Sequence, residues 1–340
     1  MGLFFVILSI SFLVLLFVNV VFAGINLYLW TTGGLQALLY GMNFTESLYA
    51  SMFFKWILLA DGIWWLGFSI FLIQKHKQTK YYINYLQYKS ITDPKICVVI
   101  HVYNEERVIE KVITDFKSQK NVEYVIVIDN HSTDATVEIA KRCGVIIISK
   151  DENKGYAHSW VMGQRESLKT DADVIVITDS DGTFSGNDIE KMIQYLNNSD
   201  MVVGSRMVQV LCEKDNQNNM FLVWGNNFIG RLLQIKFFTF GYISLIPLTD
   251  VGCSYRCFRR ETLEKIIEKY TYKDSDKPVF GVNDTTIGLF TTTKVLENRL
   301  RVVEIPITFK RRVGQSKMRA DKKRRAIKFG LQMIWYIIRS

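Results

Sequence analysis

Two carboxylates one residue apart are the first sign of chemistry in this sequence. Asp179 and Asp181 follow an apolar run at 174–177 and belong to the segment Thr-Asp-Ser-Asp-Gly. Carboxylates so spaced on a turn after a buried strand can share a hard divalent cation, Mg²⁺ or Mn²⁺, which prefers oxygen ligands. Such a cation would neutralise the charge of a diphosphate leaving group. The simpler alternative is a turn whose carboxylates only cap the next helix.

Other polar residues stand at the ends of two more apolar runs. Tyr103 and Glu105 follow the run at 96–100, and Asp129 follows the run at 124–128. Segments with helical spacing of apolar residues lie between these runs, which predicts strands alternating with helices and a mostly parallel sheet. Sheets of this kind bind ligands at the carboxyl ends of their strands. We therefore expect one site to collect these side chains.

Several common sites are disfavoured by what the sequence lacks. Neither Gly-x-Gly-x-x-Gly after the first strand nor Gly-x₄-Gly-Lys-Ser/Thr occurs, which argues against a dinucleotide enzyme and a P-loop NTPase. The five cysteines are scattered and form no Cys-x-x-Cys pair, which argues against a zinc ribbon and suits a reducing compartment.

Five short segments together resemble the family 2 glycosyltransferases with a GT-A fold. They are Tyr-Asn-Glu-Glu at 103–106, Asp-Asn-His-Ser-Thr-Asp-Ala-Thr at 129–136, Asn-Lys-Gly at 153–155, Asp-Ser-Asp at 179–181 and Gly-Ser-Arg at 204–206. The resemblance implies an α/β catalytic domain with a Rossmann-like, mostly parallel sheet. The family usually has Pro where this chain has His101, and often a second Asp where it has Asn130. We expect His101 to fill a strand end rather than to act in catalysis.

The same resemblance implies roles for single residues. Asp179 and Asp181 would hold Mg²⁺ or Mn²⁺, with Asp181 at the catalytic centre. The nucleotide-sugar donor would be bordered by Tyr103, Glu105, Asp129, Lys154 and Asp179. Lys154 could instead be a solvated surface lysine.

A segment of the C-terminal half narrows the resemblance to polyprenyl-phosphate sugar synthases. Asp-Val-Gly-Cys at 250–253 resembles their Asp-x-x-Cys/Ser-Gly region. Asp250 would be the catalytic carboxylate near the acceptor. A phosphate acceptor is already ionised at pH 7, so Asp250 could instead position the acceptor or a cation. The alternative is a carboxylate that caps a turn.

The segment 304–317, Glu-Ile-Pro-Ile-Thr-Phe-Lys-Arg-Arg-Val-Gly-Gln-Ser-Lys, is similar to a motif of dolichyl-phosphate mannose and glucose synthases. Guanidinium and ammonium groups on a glycine-containing loop can clamp phosphates. We therefore expect Arg206, Arg312 and Lys317 to bind the acceptor phosphate. For Arg312 and Lys317 the alternative is a solvated basic run beside a membrane. Asp284 receives no role.

The N-terminal part is strongly apolar. No charged residue precedes Glu46, and two apolar runs, 3–30 and 51–73, are each long enough to span a bilayer as a helix. A cleaved signal peptide is the alternative, but its basic start is missing and the first run is too long. Asp61 lies within the second run, where a charge is costly, so we expect it to face protein or an interface.

Charge predicts orientation and partners. Lys75, Lys77, Lys80 and Lys89 follow the second run, which places the remainder of the chain in the cytoplasm by the positive-inside rule. The net charge of +9 arises almost wholly within 310–325, which disfavours a nucleic-acid partner. The basic, apolar segment 319–340 predicts an interfacial membrane helix, and 220–248 is similar, although both could be core helices.

These observations predict an integral membrane enzyme with five parts. They are a two-helix anchor at 1–75, a connector at 76–93, a nucleotide-sugar-binding core at 94–210, an acceptor-binding part at 211–318 and an interfacial helix at 319–340. The predicted reaction is inverting transfer of a sugar from a GDP- or UDP-sugar to a polyprenyl (dolichyl) phosphate at the cytoplasmic membrane face. The alternatives are a glycan, protein or other acceptor, a polysaccharide synthase, and a non-catalytic nucleotide-sugar sensor.

Overall fold

The computed structural model describes residues 2–40, 52–79, 88–237, 248–273, 275, 277–314 and 323–340. The chain divides into two compact units. The hairpin unit comprises 1–81, 239–241 and 338–340, and the sheet unit comprises 82–238 and 242–337.

The hairpin unit contains two long helices, α1 (Gly2–Tyr40) and α2 (Met52–Thr79). Both include segments long and apolar enough to cross a membrane, Ile7–Tyr40 and Met52–Gln74. Asn19 donates from its amide to both carboxylate oxygens of Asp61 at 3.1 Å. The expectation that Asp61 faces protein is therefore confirmed, because an amide of the neighbouring helix shields its charge from the apolar surroundings.

The sheet unit is built on seven strands in the order β3-β2-β1-β4-β6-β5-β7. The strands are β1 (Ile96–Val102), β2 (Val122–Asp129), β3 (Ile146–Ser149), β4 (Val174–Asp179), β5 (Met201–Ser205), β6 (Arg256–Arg259) and β7 (Val302–Pro306). All pairs are parallel except those of β6, which is antiparallel to β4 and to β5. The predicted α/β class with a mostly parallel sheet is confirmed.

Helices cover the sheet and follow most of its strands. They are α3 (Ile109–Lys117), α4 (Thr136–Arg142), α5 (Tyr156–Ser167), α6 (Asp188–Leu196), α7 (Met220–Lys236), α8 (Arg260–Ile266), α9 (Ile287–Glu297) and α10 (Lys323–Arg339). The first four lie where the apolar spacing predicts them. Every residue of β1 is buried, since β1 lies between β2 and β4 in the sheet.

The central register brings the polar strand ends together. His101 of β1 pairs with Asp179 of β4, and Val102 pairs with Asp129 of β2. Because these parallel strands end at the same level, the residues that follow them share one edge of the sheet. The sequence patterns do not predict β6, because its buried positions include Arg256 and Arg259 and therefore do not resemble an apolar strand.

Candidate active site

The Asp179 carboxylate is held from both sides. Tyr156 donates its hydroxyl to Oδ1 at 2.9 Å, and the Ser254 hydroxyl donates to Oδ2. Tyr156 begins α5, and Ser254 lies just before β6. Burial and the nearby charge of Asp181 raise the pKa of Asp179 to about 6. Two hydroxyl donors thus fix the orientation of this carboxylate while each oxygen keeps a lone pair for a further ligand.

Asp181 is neutralised by an arginine. Its Oδ1 accepts hydrogen bonds from the Thr183 amide at 3.1 Å and the Thr183 hydroxyl at 2.6 Å. Its Oδ2 lies 2.7 Å from Nη1 of Arg312, whose Nη2 lies 3.2 Å from Oε1 of Glu105. Gly182 has φ +79, a conformation that glycine adopts without strain, so the turn can present the two aspartates. The structure therefore brings Asp181, Glu105 and Arg312 together from three separate predicted motifs.

The donor set fits a divalent cation that also binds phosphate. Within the described ranges no cluster of three or more His, Cys, Asp or Glu could hold a metal ion by itself. Asp179 and Asp181 provide two carboxylates, and Mg²⁺ is commonly bound by one or two carboxylates together with substrate phosphates. Among the residues that the structure describes, none accepts a hydrogen bond from the buried Nε of Arg312, so its contacts with the acids leave one N–H donor over. Cation and phosphate are the ligands that these groups would accept together.

A second ion pair joins Asp250 and Arg206. Arg206 donates from Nε to Oδ2 and from Nη2 to Oδ1 of Asp250, both at 2.7 Å, and from its backbone amide to Oδ2 at 3.1 Å. Asp250 is fully buried. Burial would lower the pKa of Arg206, but its ion pair with Asp250 raises it instead. The predicted catalytic carboxylate and a predicted phosphate ligand are thus bound to each other.

Glu304 of β7 fixes the backbone before this pair. Its Oε2 accepts hydrogen bonds from the amides of Thr249 and Asp250 at 2.7 Å and 2.9 Å. Its Oε1 accepts the hydroxyl of Thr249. The Glu of the Glu-Ile-Pro segment therefore holds the Asp250 loop, a role that the sequence motif does not indicate.

The predicted nucleotide-contacting residues separate into two groups. Asp129 is buried at the end of β2 and accepts the Ser132 amide at 3.0 Å, and Tyr103 is half-buried at the end of β1. Lys154 instead places its ammonium 3.6 Å from Glu152 on the surface. The side chain of Lys154 therefore supports the alternative of a solvated surface lysine. Its backbone amide donates to Asn130 at 3.1 Å.

A buried lysine that the sequence analysis did not identify lies behind Asn130. Lys150 follows β3 and is 8% exposed. Its ammonium donates to Oδ1 of Asn130 at 2.8 Å, to Oγ of Ser159 at 2.7 Å and to the carbonyl of Gly155 at 3.3 Å. Burial lowers the pKa of Lys150 to about 8. The neutral Asn130 that replaces the family's usual second Asp thus accepts a hydrogen bond from a buried ammonium.

Asp284, for which no role was predicted, accepts the Ala157 amide at the start of α5 at 2.7 Å. It therefore lies beside the helix that carries Tyr156. Lys317 lies outside the described residues, so its role as a phosphate ligand stays a prediction.

The family model described as "Glycosyl transferase family 2" matches residues 97–267. That match spans half of the chain. The chain is a member of glycosyl transferase family 2. The matched region includes Asp179, Asp181, Arg206 and Asp250, whereas Arg312 lies beyond it.

This glycosyltransferase is similar to several curated proteins. It is 28% identical over 205 residues to the UDP-N-acetylglucosamine–dolichyl-phosphate N-acetylglucosaminyltransferase of Methanococcus voltae, covering 54% of this chain and 76% of that protein. It is 25% identical over 236 residues to the undecaprenyl-phosphate mannosyltransferase of Micrococcus luteus, covering 66% and 87%. Among solved structures, glucosyl-3-phosphoglycerate synthase of Mycobacterium tuberculosis matches with a TM-score of 0.47 and 15% identity, covering 74% of this chain and 84% of that one.

Family membership confirms the predicted resemblance, the enzyme class and, with the sheet, the GT-A-type fold. In this glycosyltransferase several residues that were not identified from sequence contact the predicted site. Among them are Tyr156 and Ser254 at Asp179, Glu304 at the Asp250 loop, and Lys150 at Asn130. Glu304 was visible within a recognised motif, but for the others residue type and spacing gave no signal, because only the tertiary structure makes them neighbours.

Proposed function

We propose that this glycosyltransferase transfers a sugar, with inversion, from a nucleoside-diphosphate sugar to a polyprenyl phosphate at the cytoplasmic membrane face. The observation that carries the proposal is the pairing of acids with arginines at one edge of the sheet. Arg312 lies on Asp181 and Glu105, and Arg206 lies on Asp250. Relatives named as dolichyl-phosphate and undecaprenyl-phosphate transferases support the acceptor class.

The donor half of the site would bind the nucleoside diphosphate. Asp179 and Asp181 would hold Mg²⁺ or Mn²⁺, which when bound neutralises the charge that develops on the departing diphosphate. Tyr156 and Ser254 keep Asp179 oriented. Arg312 was predicted to bind the acceptor phosphate, but it contacts Asp181 and Glu105, the acids of the donor half. We therefore propose that Arg312 binds a phosphate of the donor, since guanidinium groups bind phosphate oxygens well. Tyr103, Glu105 and Asp129 would border the nucleotide.

The acceptor half would present a phosphate to the anomeric carbon. An acceptor phosphate oxygen forms the new bond to that carbon while the bond to the β-phosphate oxygen breaks. The acceptor is ionised at neutral pH, so no proton has to be removed. Both oxygens of Asp250 are occupied by Arg206, which supports a positioning role for Asp250 rather than that of a general base.

Two helices of the sheet unit support action on a lipid. In α10 the large apolar side chains Ile327, Leu331 and Trp335 are exposed at four-residue intervals, while Tyr336 and Ile337 are buried. Helix α7 likewise exposes three such side chains at four-residue intervals, Met220, Trp224 and Phe228. A helix with one apolar exposed face and basic residues alongside is typical of an interfacial membrane helix. We propose that each helix packs one face against the sheet unit and places its exposed apolar face in the membrane interface.

The test is transfer of label into an organic-soluble product. The full-length protein, in detergent with Mn²⁺, is given radiolabelled GDP-mannose, UDP-glucose or UDP-N-acetylglucosamine together with a polyprenyl phosphate. We expect transfer from one donor. Asp181→Asn should abolish the transfer, because it removes a charge from the cation site. A matched control is Asp171→Asn. Asp171 lies on the surface just before the first residue of β4, at the opposite end of that strand from Asp179.

The acceptor is tested in the same assay. Label that remains water-soluble with all donors, while nucleotide still binds, would overturn the lipid acceptor and direct the search to a glycan or protein. Loss of activity in Asp171→Asn equal to that in Asp181→Asn would instead contradict the assignment of the cation site.

A further inference from the structure

A fully buried arginine lies beneath the candidate site. Arg256 begins β6, where it pairs with Ile177 of β4 and Val203 of β5, and its side chain is 0% exposed. Among the residues that the structure describes, no carboxylate forms an ion pair with Arg256. Burial lowers the pKa of Arg256. A buried guanidinium without a counter-ion is costly, so its contacts need an explanation.

The guanidinium organises the loop that precedes β6. Its Nε donates to the carbonyl of Cys253 at 2.9 Å, and its Nη2 donates to the carbonyl of Val251 at 3.0 Å. These carbonyls lie between Asp250, which binds Arg206, and Ser254, which donates to Asp179. Arg256 therefore fixes a short loop that reaches both halves of the site.

The same guanidinium reaches Asp179 from the other side through aromatic contacts. Its Cζ lies 5.7 Å from the ring centroid of Trp160, a distance typical of a cation–π contact. The Trp160 ring lies 5.8 Å from that of Tyr156, whose hydroxyl donates to Asp179. Both hydroxyls that hold Asp179 thus belong to segments that Arg256 supports.

A third contact ties the arginine to α9. Its Nη1 donates to the hydroxyl of Thr292 at 2.9 Å. A Cβ at Gly288 would lie 3.1 Å from Nη2, so a side chain at residue 288 would crowd the guanidinium. Planar geometry lets one arginine make all these contacts at once, which the single ammonium of a lysine cannot do.

We propose that Arg256 is a positioning residue for sugar transfer, which orients Asp179 through Ser254 on one side and through Trp160 and Tyr156 on the other. The inference rests on the proposed role of Asp179 in holding the divalent cation. It also places a fully buried positive charge against the loop that follows Asp250.

The experiment compares Arg256→Lys with Arg259→Lys in the full-length protein. Arg259 is a matched control, because it is also buried on β6 and also donates to backbone carbonyls, those of Leu196 and Ser199. Mn²⁺ affinity is measured by electron paramagnetic resonance with UDP or GDP present, and kcat and donor KM are measured for transfer. We expect Arg256→Lys to weaken Mn²⁺ binding at least fivefold and to lower kcat at least tenfold. Arg259→Lys should lower the melting temperature without either change.

A double-mutant cycle separates positioning from general loss of structure. Ser254→Ala alone should weaken Mn²⁺ binding, and it should add little in the Arg256→Lys background, because both changes release the same carboxylate oxygen. Multiplicative effects of the two substitutions would overturn the proposal. So would equal losses in Arg256→Lys and Arg259→Lys.

Thr292→Val keeps the experiment decisive if Arg256→Lys does not fold. This substitution removes one of the three hydrogen-bonded partners and should give a smaller loss of Mn²⁺ affinity and kcat, whereas unchanged values would overturn the proposal. If polyprenyl phosphate is not the acceptor, the Mn²⁺ affinities of the variants still test the role of Arg256. Absence of Mn²⁺ binding by the wild-type protein would overturn the cation assignment and this inference together.

Discussion

At the scale of single residues, the candidate site is a set of acids that differ in their hydrogen-bond and ion-pair partners. Asp179 is held by two hydroxyls, Asp181 shares Arg312 with Glu105, and Asp250 is paired with Arg206. Arg312 contacts Glu105 through Nη2 and Asp181 through Nη1, so a phosphate or a cation that binds here changes the electrostatic balance among the guanidinium and the two acids. The arrangement therefore couples the binding of cation and nucleotide.

That coupling predicts that one substitution changes the affinities for Mn²⁺ and for the nucleotide in opposite directions. Arg312→Gln should tighten the binding of Mn²⁺ alone, because the guanidinium no longer competes for Asp181. It should weaken the binding of UDP or GDP in the presence of Mn²⁺ by about tenfold, the effect of losing one charge-assisted hydrogen bond. Calorimetric titration of each ligand measures both effects. Arg311→Gln is the control, since the neighbouring Arg311 is exposed and should change neither affinity. Weaker binding of Mn²⁺ alone to Arg312→Gln would contradict the competition.

A second prediction concerns acid stability. Burial, with the charge of Lys150, lowers the pKa of His101 to about 3, and neither ring nitrogen has a hydrogen-bond partner among the described residues. The pKa of His101 is lower in the folded state than in the unfolded state, so acid favours unfolding. The stability associated with the neutral, buried His101 is fully present above about pH 6.5 and is lost progressively as the pH falls towards 3. His101→Leu should therefore lose less stability on acidification, by about 2 kcal/mol between pH 7 and 5.

Thermal melting of the full-length protein from pH 7 to 5 measures this difference. His131→Asn is the control, because His131 is exposed and has φ +68, a conformation that Asn tolerates. Parallel loss of melting temperature in wild type and His101→Leu would contradict a lowered pKa of His101 in the folded protein.

At the scale of elements, close backbone approach determines how α7 packs. A Cβ at Gly230 would lie 2.3 Å from the carbonyl oxygen of Leu248, a distance that real Cβ atoms do not reach. Gly225 lies on the same helix with nothing within 4 Å of its Cβ position. Residue 230 therefore has no room for a side chain, whereas residue 225 has.

Substitution at the two glycines should change stability in opposite directions. Gly230→Ala forces α7 away from the segment before Asp250 and should destabilise the protein by about 1–3 kcal/mol. Gly225→Ala should stabilise it by up to about 1 kcal/mol, since alanine has the higher helix propensity. Melting temperatures in detergent measure both, and an equal effect of the two substitutions would contradict the close contact.

At the scale of the whole molecule, the two apolar helices and the basic segment after them predict an anchored enzyme with its sheet unit in the cytoplasm. The lysines that follow the second span are the physical basis, because positively charged segments are retained on the cytoplasmic side. The proposed donor, a nucleotide sugar, would reach the site from that side.

Orientation is testable by protease accessibility. In sealed inside-out vesicles that contain the full-length protein, added protease should cleave the sheet unit without detergent. In right-side-out vesicles the sheet unit should resist cleavage until detergent is added. The reverse pattern would place the sheet unit on the opposite face and would overturn the cytoplasmic part of the proposal.

Much of the molecule follows from the sequence alone. Apolar runs of strand length before Tyr103, Asp129 and Asp179 predict β1, β2 and β4, because buried parallel strands have few polar positions. The two long apolar runs near the N-terminus predict both long helices. Motif spacing identifies the acids of the site and the enzyme family, since these residues lie in short contiguous segments.

Only the tertiary structure determines which basic residues form ion pairs with those acids. Antiparallel β6 inserts between β4 and β5 and carries the buried Arg256 to the site, and the loop after β7 brings Arg312 to Asp181. Local spacing cannot show these contacts, because their partners are far apart in the chain and meet only through strand order. The sequence therefore determines which groups do the chemistry, and the fold decides their charge partners, because electrostatic interaction depends on distance in space rather than on separation along the chain.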